Sequence, residues 1–239
     1  MNHKTGCLIC GKELAYSETL KPVPCFLCKA VYETNATCVD QHYVCDACHR
    51  GSANDLIERY CINTISTDPI ALATLLMREP VIKMHGPEHH FLVPAVLLAA
   101  YFNQKHTSIG EKAESIQTAR KRAEDIKGGF CGFHGACGAA IGTGIFVSVI
   151  SKSTPLSGVE WRLGNLMTAE SLSKIAENPG PRCCKRGSFI AVIRAAEFLD
   201  REFGFEIPID QQPVCSFDSL NRECHKESCD FFQIERANQ

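Results

Sequence analysis

Residues 7–48 read CLICGKELAYSETLKPVPCFLCKAVYETNATCVDQHYVCDAC, and in them four metal-ligand pairs follow one another: Cys7-x2-Cys10, Cys25-x2-Cys28, Cys38-x3-His42 and Cys45-x2-Cys48. A Cys-x2-Cys turn aims two thiolates at one point, and two such pairs complete the tetrahedral shell that zinc prefers. Four pairs therefore predict two zinc ions. A segment this short cannot bury enough apolar surface to fold unaided, so the metal would supply the folding energy and sit in closed, structural shells. The favoured pairing is cross-braced: Cys25 and Cys28 with Cys45 and Cys48, Cys7 and Cys10 with Cys38 and His42. The other pairing joins the first two pairs and leaves Cys38, His42 and the last pair to a second site across a very short loop. His49 is an alternative to His42, and Gly11 suits the tight turn after Cys10.

Outward from this module the chain becomes helical in pattern. Asn54 is a candidate cap for a helix with Leu56, Ile57, Tyr60 and Cys61 on one face. Asp68-Pro69 is an N-cap with proline at the first helical position, opening Ile70 to Met77, and Glu79-Pro80 ends that helix. Further helices are expected from Pro87 to about Asn103, over Glu111 to Lys127, and at about 135–151, 159–177 and 186–203. Alternating β-branched runs are scarce. The fold class expected is mainly α: a zinc-ribbon-like module over 1–52, an all-α domain over 53–206, and a cysteine-rich tail over 207–239 packing on it.

The chain is 45% hydrophobic and 22% charged, with a net charge of -2, an ordinary globular composition that gives no global reason for binding nucleic acid or an anionic membrane. The longest apolar stretches, Phe91 to Phe102 and Ala139 to Ile150, fall short of the ~20 residues of a bilayer span and read as core helices. No apolar run precedes Cys7, so a secretory leader is not expected. Fifteen cysteines, an odd number without a leader, argue for thiols kept reduced in the cytoplasm to hold metal. Cys61 stands alone and reads as a buried small hydrophobe.

Seven more cysteines follow in three places: Cys131 and Cys137, Cys183 and Cys184, and Cys215-x8-Cys224-x4-Cys229. The first pair lies in the glycine-rich run Gly128-Gly129-Phe130-Cys131-Gly132-Phe133-His134-Gly135-Ala136-Cys137-Gly138, which suggests a metal or reactive-thiol site. Gly142-Thr143-Gly144 is not read as a nucleotide loop, because no strand precedes it. Pro181-Arg182-Cys183-Cys184-Lys185-Arg186-Gly187 places thiols and cations before a helix, where thiolate and an anionic substrate are both stabilised. Seven thiols suffice for a four-iron cluster, with a third zinc site in the tail as the plainer reading. Finally, His85-Gly86-Pro87-Glu88-His89-His90 matches the spacing of a zinc-peptidase motif, but Pro87 breaks the continuous helix which that motif requires. A polar cluster at a helix start remains, suited to an anion or simply to capping.

The whole chain resembles an uncharacterised family of methanogens and other anaerobes that shares the runs HGPEHHFLVPAVLLAAY and GGFCGFHGACGAAIGTGIF, residues 85–101 and 128–146 here. Some members carry the label SAM-dependent methyltransferase. Residues 85–198 also resemble the α domain of iron–sulfur L-serine dehydratases and the cysteine desulfidases. The likeness lies in the apolar run Val93 to Ala99, the turn Gly135-Ala136-Cys137-Gly138, and Cys183-Cys184-Lys185-Arg186 before Ile190 to Ala195. That resemblance implies a [4Fe-4S] cluster on three cysteines, Cys137 and Cys183 with a third from Cys131, Cys184 or the tail. It further implies a lyase-type elimination on a small anionic, sulfur-containing or hydroxylated substrate. His85, His89 or His134 would transfer the proton and Arg182, Lys185 or Arg186 would hold the carboxylate. The alternative is a zinc-dependent adaptor for a protein or nucleic-acid partner, and a SAM-dependent methyltransferase ranks third.

Overall fold

The computed structural model describes residues 6, 7, 9, 10, 12–26, 29–209 and 212–233. Cys28 and Gly11 lie outside the described residues. The module is an antiparallel hairpin of β1 (Leu14–Pro24) and β2 (Val31–Cys38), in register from Leu14 opposite Cys38 to Pro24 opposite Val31, with an irregularity between Tyr16 and Lys21. Its strands are largely exposed, so the hairpin makes little core of its own.

The helical body contains α1 (Asp46–Asn63), α2 (Pro69–Met77), α3 (Glu88–Gln104), α4 (Ile109–Glu124), the single turn α5 (Phe130–Phe133), α6 (Gly138–Ile150), α7 (Val159–Ala176) and α8 (Cys184–Phe203). Two 3-10 turns, Asp218–Leu220 and Lys226–Ser228, are the regular structure of the described tail. The mainly helical fold is thus as expected, with one correction. The first helix does not start at Asn54. It starts at Asp46, and Asn54 is buried inside it, donating from Nδ2 to Glu124 Oε1 at 3.0 Å. The capping preference of asparagine yields here to a buried side-chain bond between α1 and α4. Arg120 adds to that seam, reaching Asp55, Glu58 and Glu124 at 2.7–3.0 Å.

Helix α3 is apolar on nearly every face, from Phe91 to Phe102, as a helix surrounded by others must be. It packs against α1, α2, α4, α6 and α8. Asp68 caps α2 as read, accepting from Ile70 and Ala71 N–H at 2.8 and 3.1 Å. Cys61 is wholly buried, with its thiol pushed far up by burial, as a small core hydrophobe would be. Small residues bring α6 close to α7: a Cβ at Gly144 would lie 2.0 Å from Thr168 Oγ1, and Thr143 and Ser171 hydroxyls meet at 3.0 Å across the seam. Among the described residues no helix is long and apolar enough to cross a membrane.

Candidate metal centres and cavity

The hairpin holds two ligand sets. Cys7, Cys10, Cys38 and His42 have their ligand atoms within 4.8 Å of one another, and so do Cys25, Cys45 and Cys48. This is the cross-braced pairing, with Cys28 outside the described residues. The sets interleave because Cys7 and Cys10 precede β1 while Cys38 ends β2, whereas Cys25 follows β1 and Cys45 caps α1 with Cys48 in its first turn. Cys10 and Cys38 sulfurs are 3.8 Å apart. A tetrahedral shell with metal–sulfur bonds of about 2.3 Å has an edge of about 3.8 Å, so the spacing already fits one ion such as zinc.

Other local features point the same way. Backbone N–H groups of Ile9, His42 and Cys45 donate to the sulfurs of Cys7, Cys38 and Cys25 at 3.3–3.4 Å, an arrangement that favours thiolate. His42 Nδ1 is buried with no hydrogen-bond partner among the described residues. His49, the alternative ligand, instead turns Nδ1 toward Glu88 Oε2 at 3.4 Å.

Behind the hairpin lies a cavity of about 1290 Å³ that gathers the three unusual stretches of sequence. Its walls include His85, His89 and His90 from the start of α3, Cys131 and Cys137 from the glycine-rich run, and Arg182, Cys183, Cys184 and Arg186 from the start of α8. The hairpin contributes Glu13, Leu14 and Tyr16, and the tail contributes Asn221, Arg222 and Glu223. Lys83, Arg182, Arg186 and Arg222 outnumber Glu13 and Glu223 among the lining charges, which favours an anionic occupant.

The histidines are fixed differently. His89 is buried, and burial followed by the charge of Lys185 drives it down to about 3, so its ring is neutral at physiological pH. Its Nδ1 lies 3.1 Å from Gly86 O. A carbonyl only accepts, so Nδ1 carries the proton and Nε2 presents a lone pair. That Nε2 is buried with no hydrogen-bond partner among the described residues, and His89 lines the cavity. His85 is also held down by burial and by Arg182, with Nε2 3.2 Å from Asn221 Oδ1 and 3.4 Å from Glu223 Oε2. His90 Nδ1 meets Ile126 O at 3.2 Å. Its ring lies where a Cβ at Gly138 would fall, 2.1 Å from Cδ2, so only glycine at the start of α6 permits that approach. His134 is exposed, stacks on Phe130 and is not among the cavity residues.

The cations divide as well. Arg182 donates to Tyr16 OH at 3.3 Å and remains in the cavity wall. Arg186 reaches Pro179 O at 2.9 Å. Lys185 points the other way: it is buried, donates to Met77 O and Ile82 O at 2.8 and 3.1 Å, and lies 4.7 Å over the Phe217 ring. Burial brings it down to about 8, partly offset by Glu88.

The seven later thiols form two groups. Cys131, Cys137 and Cys184 stand in the cavity, close enough that Cys131 acts on Cys137 and Cys137 on Cys184. Burial pushes Cys184 up to about 12 despite the Gly86 N–H aimed at it. Cys215, Cys224 and Cys229 line a separate crevice between α8 and the tail, and Cys183 stands in the walls of both spaces.

Three residues were not singled out from the sequence. Glu88 is completely buried at the start of α3, accepts from Lys83 N–H at 2.7 Å and meets His49. Burial alone would raise its carboxyl; His49, His89 and the backbone outweigh this and hold it down to about 2. Tyr16 and Asn221 belong to the hairpin and the tail and reach the cavity only through tertiary folding. In the sequence, Glu88 stands between Pro87 and His89 in the first turn of an apolar helix, and that position is the signal for it.

The chain belongs to a family of unknown function, DUF5714, whose model matches residues 57–232. No curated protein and no solved structure matches it. The matched span contains all seven later thiols, and the two hairpin ligand sets precede it.

Proposed function

We propose that this chain is a cytoplasmic metalloenzyme that holds two structural zinc ions in its hairpin and acts on a small anionic substrate in the cavity behind it. The observation that carries the reading is the convergence of Cys131, Cys137 and Cys184 with His89 and Arg182 on one space. The cavity exceeds the roughly 300–1,000 Å³ of most small-molecule sites, leaving room for a substrate beside a cofactor. Three thiols facing a cavity suit an iron–sulfur cluster bound through fewer than four cysteines. The resemblance to L-serine dehydratases and cysteine desulfidases implies Cys137 and Cys183 as ligands; the cavity set proposed here keeps Cys137 and takes Cys131 and Cys184 as the others, because Cys183 also faces the tail crevice. Such a cluster supplies a Lewis acid for a hydroxyl or thiol leaving group.

The chain's own residues supply the rest of a lyase-type elimination. Arg182, held by Tyr16, and Arg186, held by Pro179 O, bind the substrate carboxylate. His89 Nε2, an unprotonated nitrogen in a buried ring, takes the proton from the carbon next to the carboxylate. Its low proton affinity makes it a weak base, so the removal depends on the acidity that a bound Lewis acid would lend the substrate. His85, tied to Asn221 and Glu223, positions the tail against the cavity.

The test is the zinc, iron and acid-labile sulfide content of protein purified without oxygen, followed by trials with serine-like and cysteine-like compounds. Iron and sulfide that fall in Cys137→Ala and Cys184→Ala, with turnover of one such compound abolished in His89→Asn, would support the reading. Zinc alone, without sulfide or visible colour, would end it.

A second reading, a zinc-dependent adaptor for a protein partner, draws on the exposed apolar side chains of the hairpin, Leu20 at 62% and Val31 at 64%. A chelator-sensitive partner bound by an iron-free protein would favour it. The methyltransferase reading gains nothing from Gly142-Thr143-Gly144, which lie inside α6, and absence of SAM binding by calorimetry would dispose of it.

A further inference from the structure

The tail from 212 to 233 is ordered against α8 although its regular structure amounts to two 3-10 turns. A stretch of that length with so little secondary structure is normally mobile unless something ties it down. Part of the anchoring is apolar: Phe217 is buried, Phe231 packs on Phe189 with ring centres 5.4 Å apart, and Leu220 packs against the same core. The tail also brings three thiols to α8. Cys215, Cys224 and Cys229 line one crevice with Cys183, the N-cap of α8.

These four differ from loose free thiols. Backbone N–H groups of Arg186, Phe217 and Lys226 donate to the sulfurs of Cys183, Cys215 and Cys224, each at 3.4 Å. The same N–H···S geometry marks the hairpin ligand sets. Spacing then separates the two kinds of site. Among the described residues, the hairpin sets are those whose ligand atoms fall within 4.8 Å of one another. A single tetrahedral ion requires sulfurs about 3.8 Å apart, and the tail thiols do not converge so far. A polynuclear occupant holds its thiolates farther apart. Met84, Phe189, Phe217 and Phe231 give the crevice an apolar lining, and Arg186 with the start of α8 offsets negative charge.

We propose that Cys183, Cys215, Cys224 and Cys229 bind a second iron–sulfur cluster of the [4Fe-4S] class, with all four irons ligated by protein. Four thiolates leave no iron open to substrate. The centre staples the tail to α8 and thereby holds Asn221 and Glu223 against His85. Cys183 and Cys184 are consecutive, so adjacent residues serve the closed centre and the cavity. This inference goes beyond the cavity reading and stands without it.

The experiment is metal and sulfide analysis, with Mössbauer spectroscopy, on full-length protein purified without oxygen. Cys215→Ala/Cys224→Ala should lose about four iron and four sulfide per chain and keep its zinc. The reciprocal variant, Cys131→Ala/Cys137→Ala/Cys184→Ala, should keep about four iron with the spectrum of a fully thiolate-ligated cubane. If the tail variant is not recovered folded, the reciprocal variant and the intact protein decide the matter without it. Iron-free reciprocal protein, unchanged iron in the tail variant, a third zinc in place of iron, or disulfides among the tail cysteines would each overturn the proposal. A cavity without a cluster would sink the elimination mechanism and leave this centre unaffected.

Discussion

Glu88→Gln is the sharpest test of how α1, which carries the candidate metal ligand Cys48, is joined to the core. The Glu88 carboxylate is wholly buried at the start of α3 and lies 3.4 Å from His49, one residue beyond Cys48 in α1. Its carboxyl is held at about 2 against an ordinary value of 4.5. A group depressed in the folded state stabilises the fold above its unfolded value and loses that contribution as pH falls toward the folded one. The stabilisation is therefore complete above about pH 4.5 and drains between there and about pH 2. The size of the depression corresponds to about 3 kcal/mol at neutral pH. Glutamine keeps an acceptor for Lys83 N–H and nearly the same volume but removes the charge facing His49 and His89. For a chain of this length the expected loss is about 6–12 °C in melting temperature at pH 7. The assay is calorimetric melting of both proteins, with zinc content measured alongside. Because thiolates also release metal in acid, the difference between the two melting curves is the readout, and it should shrink from pH 5 downward. A variant with its zinc intact that melts within about 2 °C of the parent at pH 7 would refute the argument.

Three further outcomes follow from the same geometry. Cys38→Ser breaks the set containing Cys7, Cys10 and His42, so bound zinc should fall from about two to about one, by atomic absorption, while far-ultraviolet circular dichroism keeps most of its helical signal. Gly144→Ala forces a Cβ to 2.0 Å from Thr168 Oγ1 and should cost about 1–3 kcal/mol in urea unfolding, with partial recovery in the double variant that adds Thr168→Ala. Arg182→Ala removes a cavity cation bonded to Tyr16. Titration calorimetry with L-serine or L-cysteine should show about tenfold or greater weakening, with zinc content unchanged.

The helices were legible because their signals are local. Asp68-Pro69 specifies a helix start within two residues, and the run from Phe91 to Phe102 can only be a buried helix. The hairpin ligand pairs were legible because metal spacing is a short-range code, and the interleaved pairing followed from loop length. What the sequence could not show depends on side-chain direction. Lys185 and Arg186 are neighbours, yet one donates to carbonyls beneath α8 while the other lines the cavity. Cys183 and Cys184 differ in part: both line the cavity, but of the two only Cys183, the extended N-cap of α8, also faces the tail crevice. Asn54 misled because a good capping residue is also a good buried donor once Glu124 lies opposite.

The placement of the hairpin bears on what its metal is for. If the two ions served only to fold a separate module, nothing would require that module to touch the cavity. The hairpin and the first turn of α1 meet the cavity wall or the residues that support it in three places. Tyr16 on β1 accepts from Arg182 and packs near Phe133, with ring centres 6.1 Å apart. Asp46, next to Cys45, accepts from Gly128 N–H at 2.8 Å at the head of the glycine-rich run. His49, next to Cys48, meets Glu88 beneath His89. Two of these contacts come from residues immediately beside ligands, so the position of the second metal site sets the position of both partners. Loss of that ion would release Gly128 and Glu88 together and so loosen the loop carrying Cys131 and the turn carrying His89. An ion held by Cys25, Cys45 and Cys48 would thus be coupled to the geometry of the cavity without any of these ligands touching a substrate.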